Sequence, residues 1–300
     1  MKTQQIIFLL LSSFILNISS FQYDVEMAEK LSAYSLASYC SNSNLLNWSC
    51  GKTCKRVEPL IDVKTFENKN EIFYLIGYSQ KEDAIVIATR GTLPWSIYNW
   101  LTDLSISKVD YQNCKKCQVH QGFYKAFQSI IDSLKIEFNN LRNQYQNSKI
   151  YITGHSLGGA LATLLVPEIY KLNNNMPVDA FITQGSPRVG NQQFSNWFAE
   201  NNNFSKMSAR ITLNKDPVVQ LPAFSFPFSF KHIGNEIFYR DPSIKQEYTK
   251  CLKPEDQNCS SGVYFATSVI DHQSYFGFGW GSELLFCRRF INKNNKETLT

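Results

Sequence analysis

Charge is scarce in this 300-residue chain. Only 18% of its residues are charged, and 30 Lys and Arg against 25 Asp and Glu leave a formal balance of +5. The basic residues are scattered, with no patch or basic helix of the kind a dedicated nucleic-acid binder carries. Beyond residue 20 no apolar run approaches the ~20 residues that span a bilayer. Internal repeats, low-complexity tracts and linker-like stretches are also missing, so one domain is expected. What is abundant is apolar and aromatic: 43% hydrophobic residues, with 22 Phe, 15 Tyr and 5 Trp. Such a chain fills a sizeable core, which excludes a disordered tail, a collagen-like repeat and a small disulfide-dependent miniprotein.

The first residues follow the layout of an export signal. Met1 and Lys2 precede the apolar run Ile6 to Ile18, and the small residues Ser19 and Ser20 precede a polar, charged segment. Residues 1–20 are read as a signal and 21–300 as the domain. With the signal removed, no transmembrane segment remains, and the expected location is secreted. The eight cysteines fit an oxidising compartment. Cys50–Cys54, Cys114–Cys117 and Cys251–Cys259 are close enough to close small loops, and Cys40 and Cys287 remain to pair with each other. A zinc site from Cys50, Cys54, Cys114 and Cys117 is the rival for this spacing, and export disfavours it. Asn47, Asn203 and Asn258 stand in glycosylation sequons.

Apolar periodicity places a helix over 24–39, strands over 71–78 and 84–89, and one long amphipathic helix from Phe123 to Tyr145. A strand over 149–153 leads into a helix over 157–172. Strands over 180–184 and 209–214 flank a helix over 192–199. Strands separated by helices predict an α/β fold: a mainly parallel central sheet with helices on both faces.

The turn after the 149–153 strand carries the chemistry. Gly154-His155-Ser156-Leu157-Gly158 fits G-x-S-x-G between a strand and an apolar helix, the context in which a serine is held on a strained turn. A serine hydroxyl needs a base, and only four histidines are available. His155 is read as structural, because its place in the turn points it away from the serine. His120 opens a helix and suits packing or hydrogen bonding. His232 is expected at the rim of the site. His272, late in the chain, is read as the base. Asp216, just beyond the 209–214 strand and before Pro217, is favoured as the acid over Asp241, Asp179 and Asp271. Serine, acid, histidine is the chain order of α/β-hydrolases.

With these residues in view, the chain resembles the class 3 lipases, the family of the filamentous-fungal triacylglycerol lipases. The resemblance lies in Arg90-Gly91-Thr92, Asn99 to Leu104, Val119 to Phe123, Gly154 to Gly159, Gln184 to Gly190, Asp216-Pro217 and Asp271 to Phe276, in order along nearly the whole chain. It implies an α/β-hydrolase fold, a triad of Ser156, Asp216 and His272, and an oxyanion hole from the Leu157 N–H and Thr92. It also implies cysteine pairs much like those read from spacing. Two departures are that Cys114–Cys117 is an addition and that the Cys50–Cys54 loop is one residue longer than expected.

The resemblance further implies a short lid helix between Thr92 and Asp103, with Leu93, Trp95, Ile97 and Trp100 as its apolar face; an ordinary packed loop is the alternative. Val218, Val219 and Leu221, with Phe224, Phe226 and Phe228, are acyl-groove candidates equally readable as core. The expected activity is hydrolysis of lipid esters, foremost triacylglycerol, at a lipid–water interface, without metal or organic cofactor; a monomer is assumed, the sequence being silent on oligomeric state. A feruloyl-type esterase or phospholipase on the same fold is the nearer alternative, and a non-catalytic lipid-binding protein the more distant one.

Overall fold

A computed structural model describes residues 23–93, 96–103, 105–222, 229–280 and 282–288. The export-signal reading of 1–20, the lid candidate Trp95 and the groove candidates Phe224, Phe226 and Phe228 lie outside them.

The strands are β1 (Leu60–Glu67), β2 (Phe73–Ser79), β3 (Ala84–Thr89), β4 (Lys108–Asp110), β5 (Gln118–His120), β6 (Lys149–His155), β7 (Val178–Gln184), β8 (Gly190–Asn191), β9 (Ser205–Leu213), β10 (Phe230–Lys231), β11 (Glu236–Tyr239) and β12 (Tyr248–Cys251). Eight of them form one sheet in the order β1-β2-β3-β6-β7-β9-β11-β12. The run from β3 to β11 is parallel, and the outer pairings are antiparallel. Beside it, β10, β8, β5 and β4 make a small second sheet.

The central strands are apolar on both faces because each face meets helices, and their side chains alternate between two cores. Ala84, Val86 and Ala88 of β3 and Tyr151 of β6 face a core built with the helix Val25–Ala37 and with Tyr275 to Trp280. Ile85, Ile87, Ile150 and Ile152 face the other, with the helices Gln121–Gln128, Ile131–Gln144 and Leu157–Leu172. Asp24 caps the first helix, its carboxylate accepting from the N–H groups of Glu26 and Met27 at 2.8 and 3.1 Å.

One expectation changes. The long helix predicted from Phe123 to Tyr145 is two helices, broken at Ser129–Ile130. The Ser129 hydroxyl turns back to the Ala126 carbonyl at 2.6 Å and ends the first helix. Apolar spacing continues across the break because both helices bury the same face against one core. Four disulfides are present: Cys40–Cys287, Cys50–Cys54, Cys114–Cys117 and Cys251–Cys259. No helix among the described residues is long and apolar enough to cross a membrane.

Candidate active site

The carboxyl ends of β3, β6, β7 and β9 converge, and every proposed reacting group hangs from one of these ends or from a loop packed on them. Ser156 follows β6 and begins the helix Leu157–Leu172 with φ 59° and ψ −130°. A left-handed serine costs about 1–3 kcal/mol and persists only where the surroundings impose it. They do so here: the Ser156 N–H donates to the Gln184 carbonyl at 2.9 Å, and Thr89 Oγ1 donates to the Gly158 carbonyl at 2.6 Å. The turn is pinned to β7 on one side and β3 on the other. At the first turn of the helix the Leu157 N–H has no intrahelical acceptor and carries the positive end of the helix dipole.

Asp216 follows β9 after a short turn and is fully buried. Its Oδ2 lies 2.9 Å from His272 Nδ1 and accepts from the Tyr275 hydroxyl at 2.6 Å, while Oδ1 accepts from the Val218 N–H at 2.8 Å. Three donors around one buried carboxylate keep it satisfied as an anion. His272 ends the four-residue helix Val269–His272, whose Asp271 anchors it by accepting from Asn214 Nδ2 and the Lys215 N–H, each at 3.0 Å. Gly185, at φ +56°, joins the two halves of the site. A Cβ there would stand 2.9 Å from Asp216 Oδ2 and 3.0 Å from the His272 ring. Since Gly185 directly follows the Gln184 that holds Ser156, serine, histidine and carboxylate are gathered around one turn. Among the described residues, Ser156 Oγ and His272 Nε2 are both buried and have no hydrogen-bond partner.

Thr92 lines a small cavity with Tyr39, Ile97, His155, His272, Trp280 and Leu284. Leu93 and Ile97 are buried, at 2% and 1% exposure, whereas Tyr98 on the same helix, Ile97–Asp103, is 65% exposed. Trp100 belongs to that helix, its side chain falling outside the description. Val218 and Val219 are buried in a turn after Asp216; Leu221, half-buried, follows it and offers its carbonyl to the Arg188 N–H at 2.8 Å.

The other histidines and acids sort by their partners. His120 caps the helix Gln121–Gln128, its Nδ1 accepting from the Phe123 N–H at 3.2 Å. His232, expected at the rim, is buried instead, because β10 pairs with β8 and draws it inward. Its Nε2 donates to the Val219 carbonyl at 2.7 Å. Burial pushes the His232 and His155 rings well below the ordinary histidine range. Asp241 is exposed and bonded to Ser243, and Asp179 bonds Ile150 N–H and Lys206. Neither approaches His272 in these bonds. Sequence reading passed over Tyr275, three residues after His272 in the Ser274-Tyr275-Phe276 stretch, because its role rests on Asp216, 59 residues away. It also passed over Arg188 and Glu255. Arg188 donates through Nε and Nη2 to the two Glu255 oxygens at 3.0 and 2.8 Å, and through Nη1 to the carbonyls of Gln220 and Pro222. This pair fixes the segment that leaves Asp216.

Residues 86–226 match the family model for lipase (class 3). The chain is 32% identical over 243 residues to a lipase of Rhizomucor miehei, covering 78% of this chain and 63% of that protein. It is 26% identical to a secreted mono- and diacylglycerol lipase of Fusarium solani, covering 87% of this chain and 76% of the relative. Among solved structures, lipase II from Rhizopus niveus superposes with a TM-score of 0.76 at 26% identity, over 86% of this chain and 96% of that one. A triacylglycerol lipase whose catalytic centre is a serine-protease triad superposes with a TM-score of 0.75 at 29% identity, over 88% and 96%. The chain belongs to the class 3 lipase family and has the α/β-hydrolase fold.

Proposed function

We propose that this member of the class 3 lipases is an exported serine esterase, with residues 1–20 as its signal and 21–300 as its domain. It cleaves carboxylic esters of acylglycerols at a lipid–water surface. The observation that carries the reading is the Asp216–His272 pair, 2.9 Å apart and buried beside a left-handed serine, with Ser156 Oγ and His272 Nε2 both left without partners.

In the reaction, Ser156 Oγ attacks the ester carbonyl while His272 Nε2 takes its proton. Asp216 holds the Nδ1–H and stabilises the imidazolium without accepting its proton. The carbonyl oxygen, now an anion, is received by the Leu157 N–H and Thr92; losing one such donor costs ~10²–10³ in turnover. His272 then protonates the departing alcohol as the acyl–Ser156 ester forms. Water attacks this ester, gives its proton to His272, and the acid leaves as the proton returns to Ser156.

Lipid as the substrate class is supported by what covers the site. Ser156 has no exposed surface, so a substrate reaches it only when a cover moves. Leu93 and Ile97, both buried next to Thr92 in sequence or in its cavity, are taken as apolar side chains of that cover, and displacing them would expose a patch that an interface shelters. Tyr264 and Phe265, at 87% and 81% exposure, stand in the loop that leads to the helix of His272, and Ile270, at 77%, lies in that helix. The Ser268 N–H on the Lys215 carbonyl, at 2.9 Å, ties that loop beside Asp216. Secretion is supported by the four disulfides.

The test is hydrolysis of emulsified triolein, phosphatidylcholine, methyl ferulate and a dissolved short nitrophenyl ester, beside Ser156→Ala. Triolein should be cleaved fastest and the variant should be inert. A fully active Ser156→Ala removes the nucleophile. Preference for methyl ferulate or phosphatidylcholine keeps the esterase and replaces the substrate, and no cleavage of any ester leaves a lipid-binding protein.

A further inference from the structure

His155 stands next to the proposed nucleophile, is 3% exposed and takes no part in the reaction just described. Its surroundings are nonetheless fully specified. The Gly91 N–H donates to the Tyr39 hydroxyl oxygen at 3.0 Å, and that hydroxyl lies 2.8 Å from His155 Nδ1. On the far side of the ring, His155 Nε2 lies 2.7 Å from the His272 carbonyl oxygen. A carbonyl can only accept, so Nε2 carries the hydrogen. Nδ1 of a neutral ring then accepts, and Tyr39 supplies its own proton to it while accepting from Gly91. Every donor and acceptor in the series is matched, and reversing one bond leaves two acceptors facing each other.

The groups around the ring enforce the neutral form. The rings of His272, Trp280, Tyr39 and Tyr275 stand 4.4, 4.0, 5.9 and 5.7 Å away, centroid to centroid. Burial and the charge that His272 acquires both oppose a proton on His155. A neutral neighbour leaves that charge for Asp216 alone to balance.

We infer that Tyr39 and His155 are a positioning pair that sets the backbone of His272 at a fixed distance from the Gly91–Thr92 loop. This inference rests on the esterase reading. The base and one half of the oxyanion hole belong to segments 181 residues apart, counted from Gly91 to His272, and these two side chains join them by hydrogen bonds that run through Ser156's neighbour. Misplacing a reacting group by ~1 Å costs about a hundredfold in rate. Loss of the connection should therefore lower kcat and leave substrate binding in place.

The test begins with nitrogen–proton correlation spectra of the imidazole rings in the wild-type protein. They should show His155 as the Nε2–H tautomer from pH 7.5 to 5.5; an Nδ1–H tautomer or an imidazolium would overturn the inference. Kinetics on a dissolved nitrophenyl ester follow, with competent sites counted by covalent titration with a fluorophosphonate. His155→Leu should lose about a hundredfold in kcat with KM within about twofold. His155→Gln keeps an N–H near the place of Nε2 and should recover to within about tenfold of wild type. Tyr39→Phe deletes one oxygen, folds with little disturbance and should lose about tenfold in kcat. Equal kcat for the Leu and Gln variants, or a Tyr39→Phe enzyme at wild-type kcat, would reduce the pair to packing. An inactive wild-type protein would sink the esterase reading instead, and the tautomer would still be measurable.

Discussion

Acidification from pH 7.5 to 5.5 should destabilise the fold through two buried histidines, by an amount that follows from linkage. His155 and His232, at 3% and 1% exposure, are held well below the ordinary histidine range, first by burial. Both stay neutral in the native state across this window, while in the unfolded chain each titrates near its ordinary value of 6.5. A depressed native value means that the unfolded state binds more protons, so stability is present above pH 6.5 and is lost as the pH falls. Integrating one proton over these two pH units gives about 1.4 kcal/mol, and two such sites give about 2.7 kcal/mol. Carboxylates remain ionised through most of the range and contribute little. With a urea dependence near 3 kcal/mol per molar, the midpoint should fall by about 1 M. The assay is urea unfolding followed by tryptophan fluorescence at both pH values, with the disulfides intact. His232→Gln should lose about 1.4 kcal/mol of the pH dependence, whatever its stability at pH 7.5, while His155 and His120, which burial also lowers, keep theirs. An unchanged midpoint in the wild-type protein would refute the reasoning.

Glu255→Leu removes the carboxylate that pairs with the buried Arg188 guanidinium and should cost about 3–5 kcal/mol. Calorimetry should show a thermal midpoint about 10 °C lower, and a shift under 2 °C would contradict the pair's role. Gly158→Ala brings a Cβ to 2.1 Å from the Thr89 carbonyl oxygen, which is backbone and cannot step aside. Activity on a dissolved ester should drop more than a hundredfold, and a wild-type rate would show that the serine turn is looser than described. Tyr275→Phe removes a 2.6 Å donor from Asp216 and should lower kcat about tenfold at unchanged KM; a KM effect alone would place Tyr275 on the substrate instead. Tyr264→Ser with Phe265→Ser should depress hydrolysis of emulsified triolein about tenfold and spare a dissolved ester. Equal losses on both would remove the surface argument.

The alternation of strands and helices was legible because the central elements carry unbroken apolar signals. The helix Leu157–Leu172 and strand β3 coincide with their predicted spans. Strand β1 was not legible, since a register shift between Ile61 and Lys64 interrupts its two-residue period. Strand β11 escaped for another reason. It opens with Glu236, a residue type that reads as surface, yet here it is fully buried against Arg210 at 2.6 Å and Thr212 at 2.6 Å. In the site, Ser156 announces itself by local turn chemistry. Tyr39, Tyr275, Arg188 and Glu255 do not, because what defines them is a partner between 59 and 116 residues away.

The bridge between Cys40 and Cys287, 247 positions apart, turns most of the polypeptide into a closed loop. A single peptide-bond cut inside that loop, such as a chymotryptic nick after the protruding Tyr264 or Phe265, leaves one covalent molecule that migrates as intact until it is reduced. Clipped material would then be counted as whole enzyme on a non-reducing gel, with Tyr39 still tethered through its neighbour to the far end of the loop.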